Sequence, residues 1–186
     1  IQKNSDFKSF YILNFLSMLE FEKTFLLKTI PFDLEKYPHK ELVDHYIPVE
    51  SEHPKLRLRK RGNLFEITKK TLVQEWDCCV QKEQTIDLNK QEYDALAQLP
   101  NKYIRKLRYY VPYEWLVLEI DLFQDNLDGL ILMDIEFPDL QTMESFSIPA
   151  FCLAEVSQNP AFAGGMLCGK SYASLSWLIR QYMGEI

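Results

Sequence analysis

The sequence is poor in the residues that many sites depend on. It holds 4 cysteines and 3 histidines among 186 residues. Cys78 and Cys79 are adjacent, Cys152 and Cys168 stand alone, and no C-x-x-C pair occurs. This spacing excludes an ordinary structural zinc site and makes a reduced, cytoplasmic chain the expectation. No Ser-His-Asp or Cys-His arrangement is visible. His39, His45 and His53 fall in loop-like or strand-edge positions, where surface roles are expected. No apolar run reaches transmembrane length, so no membrane is expected as a partner. The net charge of -6 argues against general adhesion to nucleic acid. Internal repeats and low-complexity linkers are missing. The length fits one domain or at most two small ones, and a hydrophobic content of 47% suffices for a sizeable core.

What is present is a recurring pairing of like charges two residues apart within apolar, strand-like stretches. Glu20-Phe21-Glu22 and Arg57-Leu58-Arg59 set the pattern. Lys106-Leu107-Arg108, Glu119-Ile120-Asp121 and Asp134-Ile135-Glu136 repeat it. Strand side chains alternate between faces, so each pair shares one face at a spacing of about 6.5–7 Å. A surface lined with both carboxylates and cations suits a metal bound to a phosphate chain. The cations are also clustered, with Lys55, Arg57, Arg59, Lys60 and Arg61 in one short stretch and Lys102, Arg105, Lys106 and Arg108 in another. An acidic protein with locally basic strands points to a small anionic ligand in an enclosed site.

The remaining signals arrange these pairs. Strands are predicted over Leu19–Leu27, Val43–Val49, Lys55–Arg61, Leu64–Leu72, Val80–Leu88, Tyr103–Val111, Leu116–Phe123, Leu130–Phe137 and Phe151–Val156. Gly62-Asn63 turns the third into the fourth as a hairpin. Asn89 and Glu92 form a capping box for a helix that runs to about Leu99 and stops at Pro100. Asp139–Phe146 has a helical pattern, and Ser171–Met183 is an amphipathic helix. About eight strands with few helices predict an α+β fold with a large antiparallel sheet, consistent with a closed barrel. Residues 1–17 are read as an N-terminal extension ahead of a domain spanning 18–186. Phe10–Leu16 is apolar and follows Lys3 and Lys8, but no small-residue cleavage site follows and the Glu20 strand begins at once.

Taken in order, the motifs resemble the CYTH family of triphosphate tunnel metalloenzymes. Glu20-Phe21-Glu22-Lys23-Thr24 is similar to E-x-E-x-K, Arg57 and Arg59 to R-x-R, and Thr68-Lys69-Lys70 to T-x-K. Lys106 and Arg108 match K-x-R, and Glu119 and Asp121 match E-x-D. Gly129–Phe137 is similar to G-L-x-x-x-E-x-E-F, and Glu155-Val156-Ser157 to E-V-T. The resemblance covers residues 19 to about 175. It implies an α+β fold, an eight-stranded antiparallel β-barrel tunnel with flanking helices, that hydrolyses inorganic, nucleoside or thiamine triphosphate with Mg2+ or Mn2+ as cofactor. The alternatives are a non-catalytic polyphosphate- or nucleotide-binding module and an adenylyl cyclase. The expected partner is a small-molecule triphosphate.

On that basis Arg57, Arg59, Lys70, Lys106 and Arg108 are candidate phosphate-binding residues, since arginine offers planar bidentate donors and lysine a point charge. Glu20, Glu22, Asp121, Asp134, Glu136 and Glu155 are candidate metal ligands through hard oxygens. Glu20, Glu22, Lys70 and Arg108 are the expected catalytic set. Glu66 and Glu83 are expected as internal ion-pair partners. Thr24 occupies the place of the motif's lysine, while parity turns the adjacent Lys23 to the opposite face. A second motif competes: Gly164–Ser171 matches G-x-x-x-x-G-K-[ST]. A P-loop needs a strand running into the glycines within a parallel sheet, and no βαβ pattern precedes this one. A turn at a tunnel mouth is expected instead, with Lys170 adding a cation near the phosphates.

If residues 1–17 are an appended segment, a chain beginning at Met18 keeps its thermal transition and its activity. Insolubility, or a much lower melting temperature in a thermal scan, would place Phe10–Leu16 in the core.

Overall fold

The computed structural model describes residues 19–75 and 77–184. The expectation for residues 1–17 lies outside these. Nine strands are formed: β1 (Leu19–Leu26), β2 (His39–Ile47), β3 (Leu56–Arg61), β4 (Leu64–Gln74), β5 (Asp77–Leu88), β6 (Lys102–Tyr113), β7 (Leu116–Phe123), β8 (Ile131–Phe137) and β9 (Ala154–Glu155). The helices are α1 (Lys90–Ala97), α2 (Leu140–Ser145), α3 (Gly164–Leu167) and α4 (Tyr172–Tyr182). The strands pair in the order β5-β4-β3-β2-β6-β7-β8-β1-β9, and β5 also pairs with β1. That last pairing closes eight strands into a barrel. Every strand pairing is antiparallel.

Local chemistry sets the boundaries. Gly62, at φ 61°, supplies the left-handed turn between β3 and β4. The Asn89 side chain accepts from the Glu92 amide and the Glu92 carboxylate accepts from the Asn89 amide, as the capping box predicts. β2 begins earlier than Val43 because His39–Leu42 already pair with β6, and it ends at Ile47 before Pro48. The predicted strand Phe151–Val156 shrinks to two residues. A turn closed by Cys152 N–H donating to the Pro149 carbonyl breaks it at one end.

The closure at β1 is split. Leu19–Phe21 pair with β5, whereas Phe25 and Leu26 pair with β9. The chain after β9 fills the seam between them. The Ser157 hydroxyl accepts from the Thr24 amide at 3.0 Å, and the Gln158 side chain accepts from the Cys78 amide at 2.9 Å.

Charged side chains occupy the interior, so the apolar alternate positions must find cover outside. Phe25, Leu118, Ile120, Met133 and Ile135 form an outer core with Met143 of α2, against which Phe146 and Phe151 pack. Fully burying each large apolar side chain contributes roughly 1.5–3 kcal/mol, an upper estimate because the unfolded chain is itself partly collapsed. A second core plugs one barrel end. There Tyr46, Ile104, Phe123 and Leu132 meet Phe162, Leu167, Leu175 and Ile179 of the C-terminal segment.

The glycines of the P-loop-like motif belong to this plug. A Cβ at Gly164 would lie 1.9 Å from the Tyr46 hydroxyl, and one at Gly165 would lie 2.4 Å from the Pro54 carbonyl oxygen. They open a single helical turn, with no strand leading into it and no parallel pairing around it. Close backbone approach explains them, and a nucleotide P-loop does not. Gly164→Ala gains at most about 1 kcal/mol of backbone entropy. Against that, overpacking costs typically 1–3 kcal/mol. Net destabilisation in urea is expected, partly relieved by Tyr46→Phe.

Candidate active site

The alternation predicted from sequence brings the charged residues onto one inner surface. The tunnel has a volume of about 680 Å³ and is lined by Glu20, Glu22 and Thr24 of β1, Asp44 and Tyr46 of β2, and Arg57, Arg59 and Arg61 of β3. Glu66, Thr68 and Lys70 of β4, Gln81 and Glu83 of β5, and Lys106 and Arg108 of β6 continue the wall. Glu119 and Asp121 of β7 and Asp134 and Glu136 of β8 complete it.

The deepest charges are saturated among themselves. Asp121, 1% exposed, accepts from Arg108 Nε at 2.7 Å and Arg108 Nη2 at 2.6 Å, and from Lys106 Nζ. Arg108 also donates to Glu119 and, at 2.8 Å, to Asp134. Burial works against the Asp121 carboxylate, but Arg108 and Lys106 outweigh it and hold its pKa below the ordinary range. Burial, then the charge of Arg108, pushes the Lys106 pKa down. On the adjoining strands β3 and β2, Asp44 accepts from Arg59 Nε at 2.6 Å and Nη2 at 2.7 Å in a side-on bidentate pair. Arg59 overcomes the burial of Asp44 and holds its pKa well below the usual carboxylate range.

The opposite wall is frustrated. Glu22 of β1 stands directly across from Glu136 of β8, and Thr24 across from Asp134. Like charges placed opposite each other destabilise a sheet. Glu20, Glu22 and Glu136 bring one carboxylate oxygen each to within 4.8 Å of one another. Lys70 pairs with Glu20, lies 3.7 Å from Glu22 and 3.3 Å from Glu83. Burial first, then like charges, raises the Glu136 pKa; burial also raises that of Glu20 against the pull of Lys70. A crowded set of hard oxygens, with one lysine to offset it, fits a hard divalent cation.

The other expected ligands are placed differently. Both Asp121 oxygens are taken by Arg108 and Lys106. Asp134 accepts from the Thr24 hydroxyl at 2.9 Å and from Arg108. Glu155 leaves the tunnel: it lies opposite Phe25, whose parity faces outward, and pairs with Lys23 at 3.3 Å. Lys170 is likewise not in the tunnel wall. It lines a separate surface pocket with Asn126, Gly169, Ser171 and Ser174, because the turn before α4 carries it past the plug. Glu66 and Glu83 lie near cations as expected, beside Arg61 at 3.6 Å and Lys70 at 3.3 Å.

Several wall residues were missed: Asp44, Tyr46, Thr68, His53, Lys55 and Arg61. His53, expected at the surface, lines the tunnel. The signal for Lys55 and Arg61 was present, because the parity that pairs Arg57 with Arg59 extends one step each way. Two guanidinium atoms stand out. Arg57 Nε and Arg61 Nε are buried without a hydrogen-bond partner among the described residues. Such orphaned donors cost free energy unless an acceptor reaches them.

No protein-family model and no curated protein matches the sequence. Solved structures do match. The protein NE1496, described as an inorganic triphosphatase, superposes with a TM-score of 0.58 at 22% identity, covering 80% of this chain and 93% of that one. A Bacillus halodurans protein proposed to be an adenylate cyclase gives 0.51 at 16%, covering 70% and 92%. The chain has the triphosphate-tunnel fold. Among the described residues, no helix is long and apolar enough to cross a membrane.

The Asp44–Arg59 pair gives the tunnel a stability test. Asp44→Asn leaves a buried guanidinium without its counter-charge, at a cost of about 3–5 kcal/mol in urea unfolding at neutral pH. The folded-state pKa of Asp44 is lowered, so its contribution is present above the ordinary value of 3.8 and is lost as pH falls below it. The gap between parent and variant therefore holds from neutral pH to about pH 5 and narrows in stronger acid.

Proposed function

We propose that this tunnel binds a triphosphate with a divalent metal and hydrolyses its terminal phosphoanhydride. The observation that carries the reading is the juxtaposition of two opposed sets in one enclosed space. Three crowded carboxylates lack sufficient cations, and arginine donors nearby lack acceptors. A metal relieves the first set and a phosphate chain the second.

Glu20, Glu22 and Glu136 are the residues to hold Mg2+ or Mn2+. When bound, the ion supplies charge neutralisation and polarises the terminal phosphoryl group. The chain's own residues do the rest. Arg57 presents an unsatisfied Nε to the phosphate chain. Arg59 and Arg108 are locked by carboxylates, so their remaining hydrogen-bonding edges are fixed before ligand arrives. Lys70 and Arg108 offset the charge that develops on the phosphoryl oxygens, with no reorganisation needed at that moment. The barrel wall restricts water, which strengthens each of these interactions. The inorganic triphosphatase description of NE1496 supports the same chemistry.

A binding module without turnover is the second reading. Thr24 favours it, because a neutral hydroxyl stands where the resembled motif has a lysine.

Phosphate release from inorganic triphosphate, thiamine triphosphate and ATP, each with Mg2+ and with Mn2+, separates the two. Turnover is expected with at least one of them. Glu20→Gln combined with Glu22→Gln is expected to lower it about 100-fold or more while the fold persists. Parent-level turnover in that variant would remove these residues from the metal site. Tight triphosphate binding with no phosphate release by the parent would establish the binding module.

A further inference from the structure

The missing motif lysine leaves a gap in the cation count. The lysine nearest to it in sequence does not fill that gap. Lys23 is engaged by Glu155 on the outer face. The tunnel lysines Lys70 and Lys106 are each engaged by carboxylates. One lysine of the tunnel wall remains. Lys55 immediately precedes β3, shares the parity of Arg57, and lines the same cavity as Thr24. No carboxylate among the described residues lies within ion-pair distance of it. Its ammonium instead lies 3.0 and 3.1 Å from the two ring nitrogens of His53.

The surroundings favour an anion at this point. Arg57, two residues on and on the same face, carries the buried, unpartnered Nε. Neither cation is ion-paired to a carboxylate among the described residues, so both keep donors for an anion. His53 packs against the plug: its ring would lie 2.7 Å from a Cβ at Gly165. A ring held there steers the Lys55 side chain. Burial, then the Lys55 ammonium, pushes the His53 pKa down, so the neutral imidazole can accept a hydrogen bond from the ammonium.

We infer that Lys55, beside Arg57 and steered by His53, forms a phosphate-binding subsite in the tunnel next to the plug and supplies the cation that position 24 lacks. The inference rests on the triphosphate reading proposed above. It places one end of the phosphate chain at Lys55 and Arg57, away from the Glu20–Glu22–Glu136 cluster. Lys55 is a binding residue, and His53 is a positioning residue that acts through it.

Calorimetry of the full chain with inorganic triphosphate and Mg2+ tests this. Lys55→Met is expected to weaken binding about 5- to 10-fold, the range for a charge-assisted contact that stays partly hydrated. Lys60→Met is the control, since it removes the same charge from the outer face of the same strand. It should change affinity less than about twofold. Lys55 is exposed, so the variant keeps its thermal transition. Equal affinities for parent and Lys55→Met, or equal losses from Lys55→Met and Lys60→Met, would overturn the subsite. Thr24→Lys tests the compensation: it should raise affinity more in the Lys55→Met background than in the parent. Equal gains in both would overturn the exchange of one lysine for the other. A parent that binds no triphosphate under any metal condition would remove the functional reading itself, a result distinct from either.

Discussion

Everything in this tunnel depends on balancing charge where water is scarce. Asp121 is almost wholly buried between Lys106 and Arg108, and Asp44 is buried against Arg59. Neither carboxylate could stay ionised there alone, and none of the three cations could be left without its partner. The two ion-paired clusters brace adjoining parts of the wall, β2–β3 and β6–β7, which meet where β2 pairs with β6. They also invert the usual barrel. With ionic residues inside, the apolar alternate positions of β1, β7 and β8 must be covered from outside. That requirement accounts for α2 and for the aromatic residues around it. The C-terminal segment answers a different need. It closes one barrel end with apolar side chains, so the charged chamber is walled off from that side.

Against this saturated framework, the unsaturated groups carry the functional information. A buried ion pair says little about ligands, because it is already complete. The Glu20–Glu22–Glu136 set is incomplete, since burial and like charges raise the pKa of Glu136 and only Lys70 counters the group. Arg57 and Arg61 are incomplete in the opposite sense. Stability and function are thus divided among side chains of the same types. Arg59 and Arg57 lie two residues apart on one strand face, yet one is held by Asp44 and the other has no carboxylate within ion-pair distance among the described residues.

That division also explains how far the sequence could be read. Strand parity is a local rule, so the same-face pairs, the tunnel and most of its wall were legible from alternation. Cross-strand pairing is not local. Nothing near Asp44 announces that it sits opposite Arg59. Glu155 and Lys170 show the other failure. Each was placed by motif order, but β9 holds only two residues, and its register puts Glu155 beside outward-facing Phe25. Lys170 follows a helical turn whose direction no alternation can report. Gly164 and Gly165 satisfied a phosphate-loop pattern in spacing, while their cause is the approach of Tyr46 and Pro54.

Thr24 shows how a departure from a motif can be stable in itself. Its hydroxyl donates to Asp134, and its amide donates to Ser157 across the split seam of the barrel. A lysine there would bring an ammonium to Asp134 but could not make the same short hydroxyl contact. Asp134 would then be shared between two cations, Arg108 and the new lysine, which would further stabilise its ionised form. With threonine, burial and the nearby Glu22 hold the Asp134 pKa up instead. The exchange therefore moves positive charge away from the seam and leaves that part of the wall more acidic. The compensating charge inferred above comes from Lys55, which immediately precedes β3 and lines the same cavity.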